Sequence, residues 1–413
     1  YTCRDFGQNY LNSMDAKGNP VIFTNGDNDT FPLWYNQETE GVRTDARVCN
    51  LSYLQTDWYI DQMRRPAYDS PSLPISWTRL QYVTGTREGI PVQPDALQQV
   101  IDYYKDSPED LKQMLGDNPY ELKNIIRHWV LNDNPDLQIF PTDSIVVTVD
   151  KEAVKRSGMM IAADSIPDVM HISLKGKRAI YKSEMMMLEM ISQANWERPL
   201  YMSTTVGPDN YGHLGDNFVQ EGLACRITPF DTKQSGRTID SERMYNNMMN
   251  KFKYGGLKEN PDIYLDETVI RMCYTHRRLF NQLAQQLLKE GQKDKALKVL
   301  QRAEEEIPGS IVPHEAFYGH SLELADAWLA LGHKAEAEKL LNAVGQNARE
   351  YIEWYLSLNT QRLLQSSREC LMQIYILNDI AKTWEPIDKK KAETYRMEVN
   401  NYASRCHQRG MSL

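Results

Sequence analysis

Two carboxylates stand two positions apart in the stretch TNGDNDTFPLW, at Asp27 and Asp29, with Asn25, Asn28 and Thr30 around them. Carboxylate, amide and hydroxyl oxygens are hard donors, so this turn could hold a divalent cation such as magnesium or calcium. The further positions of a calcium loop are lacking, and the spacing matches no defined metal motif. The same residues suit a second role. Asp29 or Thr30 can accept hydrogen bonds from the free amides that open a helix, Pro32 suits the first helical positions, and negative charge there favours the helix dipole. Ligand contact by Asn25, Asp27, Asn28, Asp29 and Thr30, and plain capping, are the two readings of this turn. Asp45 and Asp57 follow as further carboxylates, with nothing in their spacing to make them converge.

Other chemistry is sparse. The chain has no GxSxG elbow, no GxxxxGK[ST] loop, no GxGxxG and no HExxH. Its eight histidines show no metal spacing; His314 and His320 read as exposed loop residues, and His213 sits in the loop-like stretch YGHLGDNF. The six cysteines are scattered without a CxxC pair, which suits buried thiols, although an even count permits disulfides. No nucleophile, base and acid can be assigned together, so no catalytic residue is named.

The elements that would position the acidic turn are legible around it. PVIFTNG is a short apolar run ending in turn residues, a buried strand. FPLWYNQETEGV follows with Phe31, Trp34, Tyr35 and Glu38 at helical spacing and Gly41 as terminator. ARVCNLSYL reads as a second strand. Strand, helix and strand make a βαβ unit, which is nearly always right-handed and parallel. Ligands of such sheets bind beyond the carboxyl ends of the strands, where NGDNDT lies. Residues 61 to 95 read as irregular, and PDALQQVIDYYKD, PEDLKQML and PYELKNIIRHWVL as helical. TDSIVVTVDK is a strand, HISLKGK and RAIYKS suggest a hairpin around Gly176, and RPLYMSTTV and GLACRITPF are further strands. SEMMMLEMISQANW is a helix whose Met186, Met187, Met190 and Ile191 fill a core, as flexible thioethers do.

From Phe280 the chain repeats itself. FNQLAQQLLKEGQKDKALKVLQRAEEEIP and SLELADAWLALGHKAEAEKLLNAV align through Gly291 and Gly332, with Ala296 and Ala337, then Leu300 and Leu341, at matching places. Small residues at Ala284, Ala325, Ala296 and Ala337 let paired helices approach closely, while Leu287 and Trp328 fill the remaining space. The pattern resembles tetratricopeptide repeats, down to Pro308 at the end of the first unit. It is wider than that family's period of about 34 residues, so GSIVPHE is read as an insertion. Such repeats build concave surfaces for a protein or peptide.

The fold class expected is therefore an α/β N-terminal domain with a mixed, partly parallel sheet (1–231). A linker or connecting arm (232–268) and an all-α, tetratricopeptide-like helical-repeat domain (269–413) follow it. A length of 413 residues suits two or three domains, and a net charge of −9 argues against nucleic acid as a partner. No stretch approaches the ~18 apolar residues of a membrane helix, and the first residues lack a signal-peptide core. The chain starts at Tyr1 rather than Met, so a segment is expected upstream.

The block NGDNDTFPLWYNQETEGVRTDARVCNLSYLQTDWYIDQM, with GDNDTFPLWY, EGVRTD, VCNLSYL and TDWYI as its elements, resembles the soluble C-terminal region of a family of multi-pass membrane proteins of Bacteroides-type bacteria. NWERPLYMSTTVG and EGLACRITP look familial as well, so the resemblance covers roughly residues 1 to 230. The membrane half of that family resembles protein O-mannosyltransferases, which use a lipid-linked sugar donor. The resemblance implies an extracytoplasmic, periplasmic-side region of a membrane-anchored, glycosyltransferase-like protein. Its catalytic acid belongs to the N-terminal membrane domain, a partner of this region, so no catalytic residue is carried onto this chain. Three functions are weighed: an accessory region that positions acceptor protein through the repeats, a metal-dependent enzyme using Asp27 and Asp29, and a structural repeat scaffold.

Overall fold

The computed structural model describes residues 1–159 and 166–411. The chain divides into two compact units, Arg4–Lys253 and Tyr1–Cys3 with Tyr254–Leu413.

The first unit is α/β. Its strands are β1 (Val21–Thr24), β2 (Arg47–Asn50), β3 (Gly89–Pro91), β4 (Ser144–Thr148), β5 (Val169–Ser173), β6 (Ala179–Tyr181), β7 (Leu200–Ser203), β8 (Phe218–Gln220) and β9 (Ala224–Ile227). A five-stranded sheet runs in the order β2-β1-β7-β9-β8. β1 is parallel to both β2 and β7, whereas β7, β9 and β8 pair antiparallel. All four residues of VIFT are buried, as a strand covered on both faces requires. Helix α1 (Thr2–Ser13) precedes β1, and helix α2 (Asp27–Glu40) carries the chain from β1 to β2. Gly41 ends α2 at φ 63°, its N–H bonded to the Asn36 carbonyl, a left-handed cap that glycine adopts without strain. Gly7 of α1 lies so close to α2 that a Cβ there would sit 2.3 Å from the Pro32 carbonyl oxygen. Helix α3 (Lys182–Gln193) buries Met185, Met186, Met187, Met190 and Ile191 in the core, as its sequence suggests.

One local expectation is corrected here. HISLKGK and RAIYKS do not pair around Gly176: β5 pairs antiparallel with β4, and β6 with β3. The glycine does turn the chain, but each arm finds its partner in a distant strand. The stretch expected as a connecting arm carries helical turns at Thr232–Ser235 and Ser241–Asn246, capped by the side chains of Asp231 and Asp240.

The second unit is helical throughout its regular elements: α4 (Glu267–Lys289), α5 (Lys293–Glu306), α6 (Ser321–Ala330), α7 (Lys334–Ser357), α8 (Ser367–Trp384) and α9 (Lys389–Gln408), with a short helix at Thr360–Gln365. The helices pack as pairs, α4 on α5, α6 on α7 and α8 on α9. Gly291 and Gly332 turn the first two pairs at φ 73° and 83°. Ala284, Ala296, Ala325 and Ala337 are fully buried where paired helices meet, and Leu287 and Trp328 pack beside them. The connector between α5 and α6 is drawn in by Arg277, which is buried and donates to the carbonyls of Ile307, Val312 and Pro313 at 2.9–3.0 Å. His314 on this connector is accordingly buried, beside Glu304 at 3.4 Å, rather than an exposed loop residue. Cys49, Cys273, Cys370 and Cys406 are buried free thiols.

Candidate functional site

The acidic turn lies at the carboxyl ends of the parallel strands. Thr24, Asn50 and Ser203 end β1, β2 and β7 side by side, since Thr24 pairs with Asn50 and Phe23 with Met202. From β1 the chain leaves through α2 to β2 on one side, while β7 lies on the other. That divergence makes the switch point at which open α/β sheets bind ligands.

Gly26 is the residue before α2, and no side chain caps this helix. Asp27 to Thr30 are therefore its first turn rather than a loop ahead of it, and Pro32 lies in its interior, not at its first positions. The bond that Pro32 cannot donate would have gone to the carbonyl of Asn28, an exposed residue whose carbonyl can be hydrated instead.

Within that turn the residues separate. Asp29 is 8% exposed, and the hydroxyls of Thr205 and Ser203 and the N–H of Asn25 hold its charged form. Burial outweighs them, so its carboxyl titrates above the usual carboxylate range. Tyr10 completes a hydroxyl cluster, 2.8 Å from Thr205 Oγ1 and 3.0 Å from Ser203 Oγ; burial, and then the Asp29 charge, push its phenol up. Thr30 Oγ1 meets Thr24 Oγ1 at 2.8 Å and accepts from Asn50 Nδ2 at 2.9 Å. Asn25 Oδ1 accepts from Ser52 Oγ at 2.6 Å. Asp27 and Asn28 are exposed. Residues two apart on a helix do not face each other, so Asp27 and Asp29 do not form one carboxylate pair. Among the described residues, no group of three or more His, Cys, Asp or Glu could hold a metal ion. Asp45 pairs with Arg43 at 2.8 Å, and Asp57 accepts from the Thr84 N–H at 3.2 Å, so neither joins the turn.

A second polar cluster escaped the sequence reading. Glu221, from the EGLACRITP stretch, is fully buried and accepts from the Tyr201 hydroxyl at 2.9 Å. Its other oxygen lies 3.7 Å from Arg226 and 3.6 Å from Arg243. Both arginines also bond Asp15, at 2.7 and 2.5 Å. Burial raises the Glu221 carboxyl to about 7 against the pull of the two guanidiniums.

In the helical unit a groove of about 710 Å³ opens between α4, α7, α8 and the α5–α6 connector. Helical spacing sets its walls. Glu267, Ile270, Arg271 and Tyr274 face it from α4, Asn347, Tyr351 and Tyr355 from α7, and Glu369, Met372, Gln373 and Ile376 from α8. The connector adds Glu315, Phe317 and Tyr318. Phe317, Tyr318 and Tyr351 are exposed, by 43%, 63% and 48%, so rings remain open to a ligand. Burial raises the Tyr274 phenol to about 12, with the nearby Glu315 charge second. Burial, then Glu369, also pushes Tyr355 up, so both carboxylates act on the same wall of rings. This groove can take a ligand in the size range of about 300–1,000 Å³ typical of small-molecule and side-chain pockets.

The fold and these sites define a two-part protein: an α/β unit with polar groups gathered at a sheet switch point, and a helical unit with an aromatic groove. Residues 3–247 match the family model of TMEM260-associated domain 2, more than half of the chain, and the chain belongs to that family. No match was found among curated proteins or among solved structures. Among the described residues, no helix is long and apolar enough to cross a membrane.

Proposed function

We propose that this chain is the extracytoplasmic accessory region of a membrane-bound, protein O-mannosyltransferase-like protein, and that its helical unit holds acceptor or partner polypeptide for that protein's membrane domain. The family match and the resemblance of residues 25 to 63 support the link to such a protein. The observation that carries the binding role is the open groove, whose exposed rings offer apolar area at low cost in side-chain entropy. The polar cluster at the strand ends ties the first turn of α2 to β1, β2 and the segment after β7, and so organises the α/β unit.

The test uses the full-length protein in its source cells. Tyr351→Ala with Tyr355→Ala should lower glycan occupancy on the envelope proteins while leaving the protein's amount in the membrane fraction unchanged. Unchanged occupancy at unchanged abundance would refute the reading. So would recovery of the wild-type protein only in the soluble fraction, at the 47.8 kDa of this chain.

A further inference from the structure

From the groove we infer a charge preference: it recognises an extended polypeptide segment through a lysine or arginine side chain. This rests on the polypeptide-holding role proposed above and names what the groove selects.

Three carboxylates, Glu267, Glu315 and Glu369, line the groove against one cation, Arg271. Two of them are engaged. Glu267 pairs with Arg271 at 2.5 Å, and Glu315 accepts the N–H groups of Phe317 and Gly319, fixing the connector's turn. Glu369 is exposed and has no ion-pair partner among the described residues. One turn along α8 on the same face, the Gln373 side-chain oxygen is buried and lacks a hydrogen-bond partner among the described residues. Glu369 is open to solvent but faces no cation among the described residues, and beside it the buried Gln373 oxygen carries the penalty of an unmatched acceptor, which a ligand's N–H would remove.

The rings reinforce the same sign. A tyrosine face attracts a cation within about 6 Å of its centre. Within the groove this already occurs, since the Arg271 guanidinium lies 5.8 Å from the centre of the Tyr318 ring. Tyr351 and Tyr355 stand 6.5 Å apart with ring planes 31° from parallel, and the Tyr355 phenol is close enough to Glu369 to feel its charge. Tyr351, Tyr355, Glu369 and Gln373 together present ring faces, a carboxylate and an amide oxygen, which complement an ammonium or guanidinium on an aliphatic stem. An acidic or carboxylate-ended segment would meet the same charges as repulsion. Met372 and Ile376, on the same face of α8, provide apolar contact for the stem.

The test is fluorescence anisotropy with the whole chain and three labelled, acetylated and amidated ten-residue peptides. They alternate serine with lysine, alanine or glutamate. The lysine peptide should bind at least about tenfold more tightly than the alanine peptide, and the glutamate peptide should not bind. Glu369→Gln, on an exposed position, should weaken lysine-peptide binding about fivefold, and Tyr351→Ala about tenfold, with unchanged melting temperatures. Equal or tighter binding of the alanine or glutamate peptide, lost in Tyr351→Ala, would overturn the charge preference and leave the polypeptide role standing. Lysine-peptide binding unaffected by both substitutions would overturn it too, because the cation would then be held elsewhere. Failure of all three peptides to bind would also overturn it, while the polypeptide role is judged separately by glycan occupancy in the Tyr351→Ala, Tyr355→Ala cells.

Discussion

Glu221→Gln should change how the stability of the α/β unit depends on pH, by an amount that follows from the site. Glutamine keeps the shape and an oxygen for the Tyr201 hydroxyl, but it cannot ionise. In the native protein, burial lifts the Glu221 carboxyl from its ordinary 4.5 to about 7, outweighing Arg226, Arg243 and the Tyr201 hydroxyl. In the unfolded chain the group titrates at its ordinary value. Between those two values the native state keeps a proton that the unfolded state has released, so stability falls as pH rises. The contribution is fully present below the unfolded value and lost once pH passes the folded one. At about 1.36 kcal/mol per unit, a gap of two to three units amounts to ~3 kcal/mol.

Urea-dependent hydrogen exchange on the peptide containing β9, at pH 5, 6, 7 and 8, reads the opening of this unit by itself. Relative to wild type, Glu221→Gln should gain ~2.5 kcal/mol between pH 5 and pH 8, most of it below pH 7. The other carboxyls that burial raises, Asp29, Glu184 and Asp326, are present in both proteins and cancel in the difference. Parallel profiles, differing by less than about 0.5 kcal/mol across the range, would refute the reasoning. They would mean that the two arginines hold Glu221 ionised at every pH tested.

Two further predictions concern how the acidic turn is seated. Gly7→Ala should destabilise the α/β unit by about 1–3 kcal/mol, because the added Cβ meets the rigid Pro32 carbonyl and α1 must move off α2; an unchanged urea midpoint would disprove the close approach. Asp29→Ala should cost about 1–3 kcal/mol by removing a buried carboxylate's bonds to the Thr205 and Ser203 hydroxyls and the Asn25 N–H, whereas Asp27→Ala should cost no more than ~1 kcal/mol, its worth to the helix dipole. Equal effects of the two substitutions on thermal unfolding would show that the turn does not divide as described.

The βαβ unit was legible because its signals are local: an apolar run, helical spacing and Gly41 where a left-handed cap is needed. The repeat was legible for the same reason, since Gly291 and Gly332 mark equal turns in like sequences. What stayed hidden depends on partners far along the chain. Nothing near Asp29 points to Ser203 and Thr205, which reach it only because β7 adds beside β1. The hairpin expected around Gly176 failed in the same way, because a turn signal says where the chain reverses and not which strand it then joins. His314 looked like a loop residue because the pull of Arg277 on the connector carbonyls cannot be seen in the connector's own composition. Pro32 misled for the opposite reason, since its usual place in a first turn gave way to a helix that begins earlier, at Asp27.

Residue type drew attention to the acidic turn, yet availability separates it from the groove. Asp29 and Thr30 have the chemistry of ligand donors, but their partners are already supplied by Thr205, Ser203, Thr24 and Asn50, so a ligand would have to displace bonds that hold the fold. Glu369 and Gln373 are less conspicuous in the sequence, yet among the described residues they keep, beside open rings, a carboxylate without a cation and a buried oxygen without a donor. A site that binds must offer groups the fold has not already satisfied. The groove also falls outside residues 3–247, the part matched by the domain family. The family assignment therefore describes the α/β unit alone, and what the helical unit binds must be argued from the groove itself.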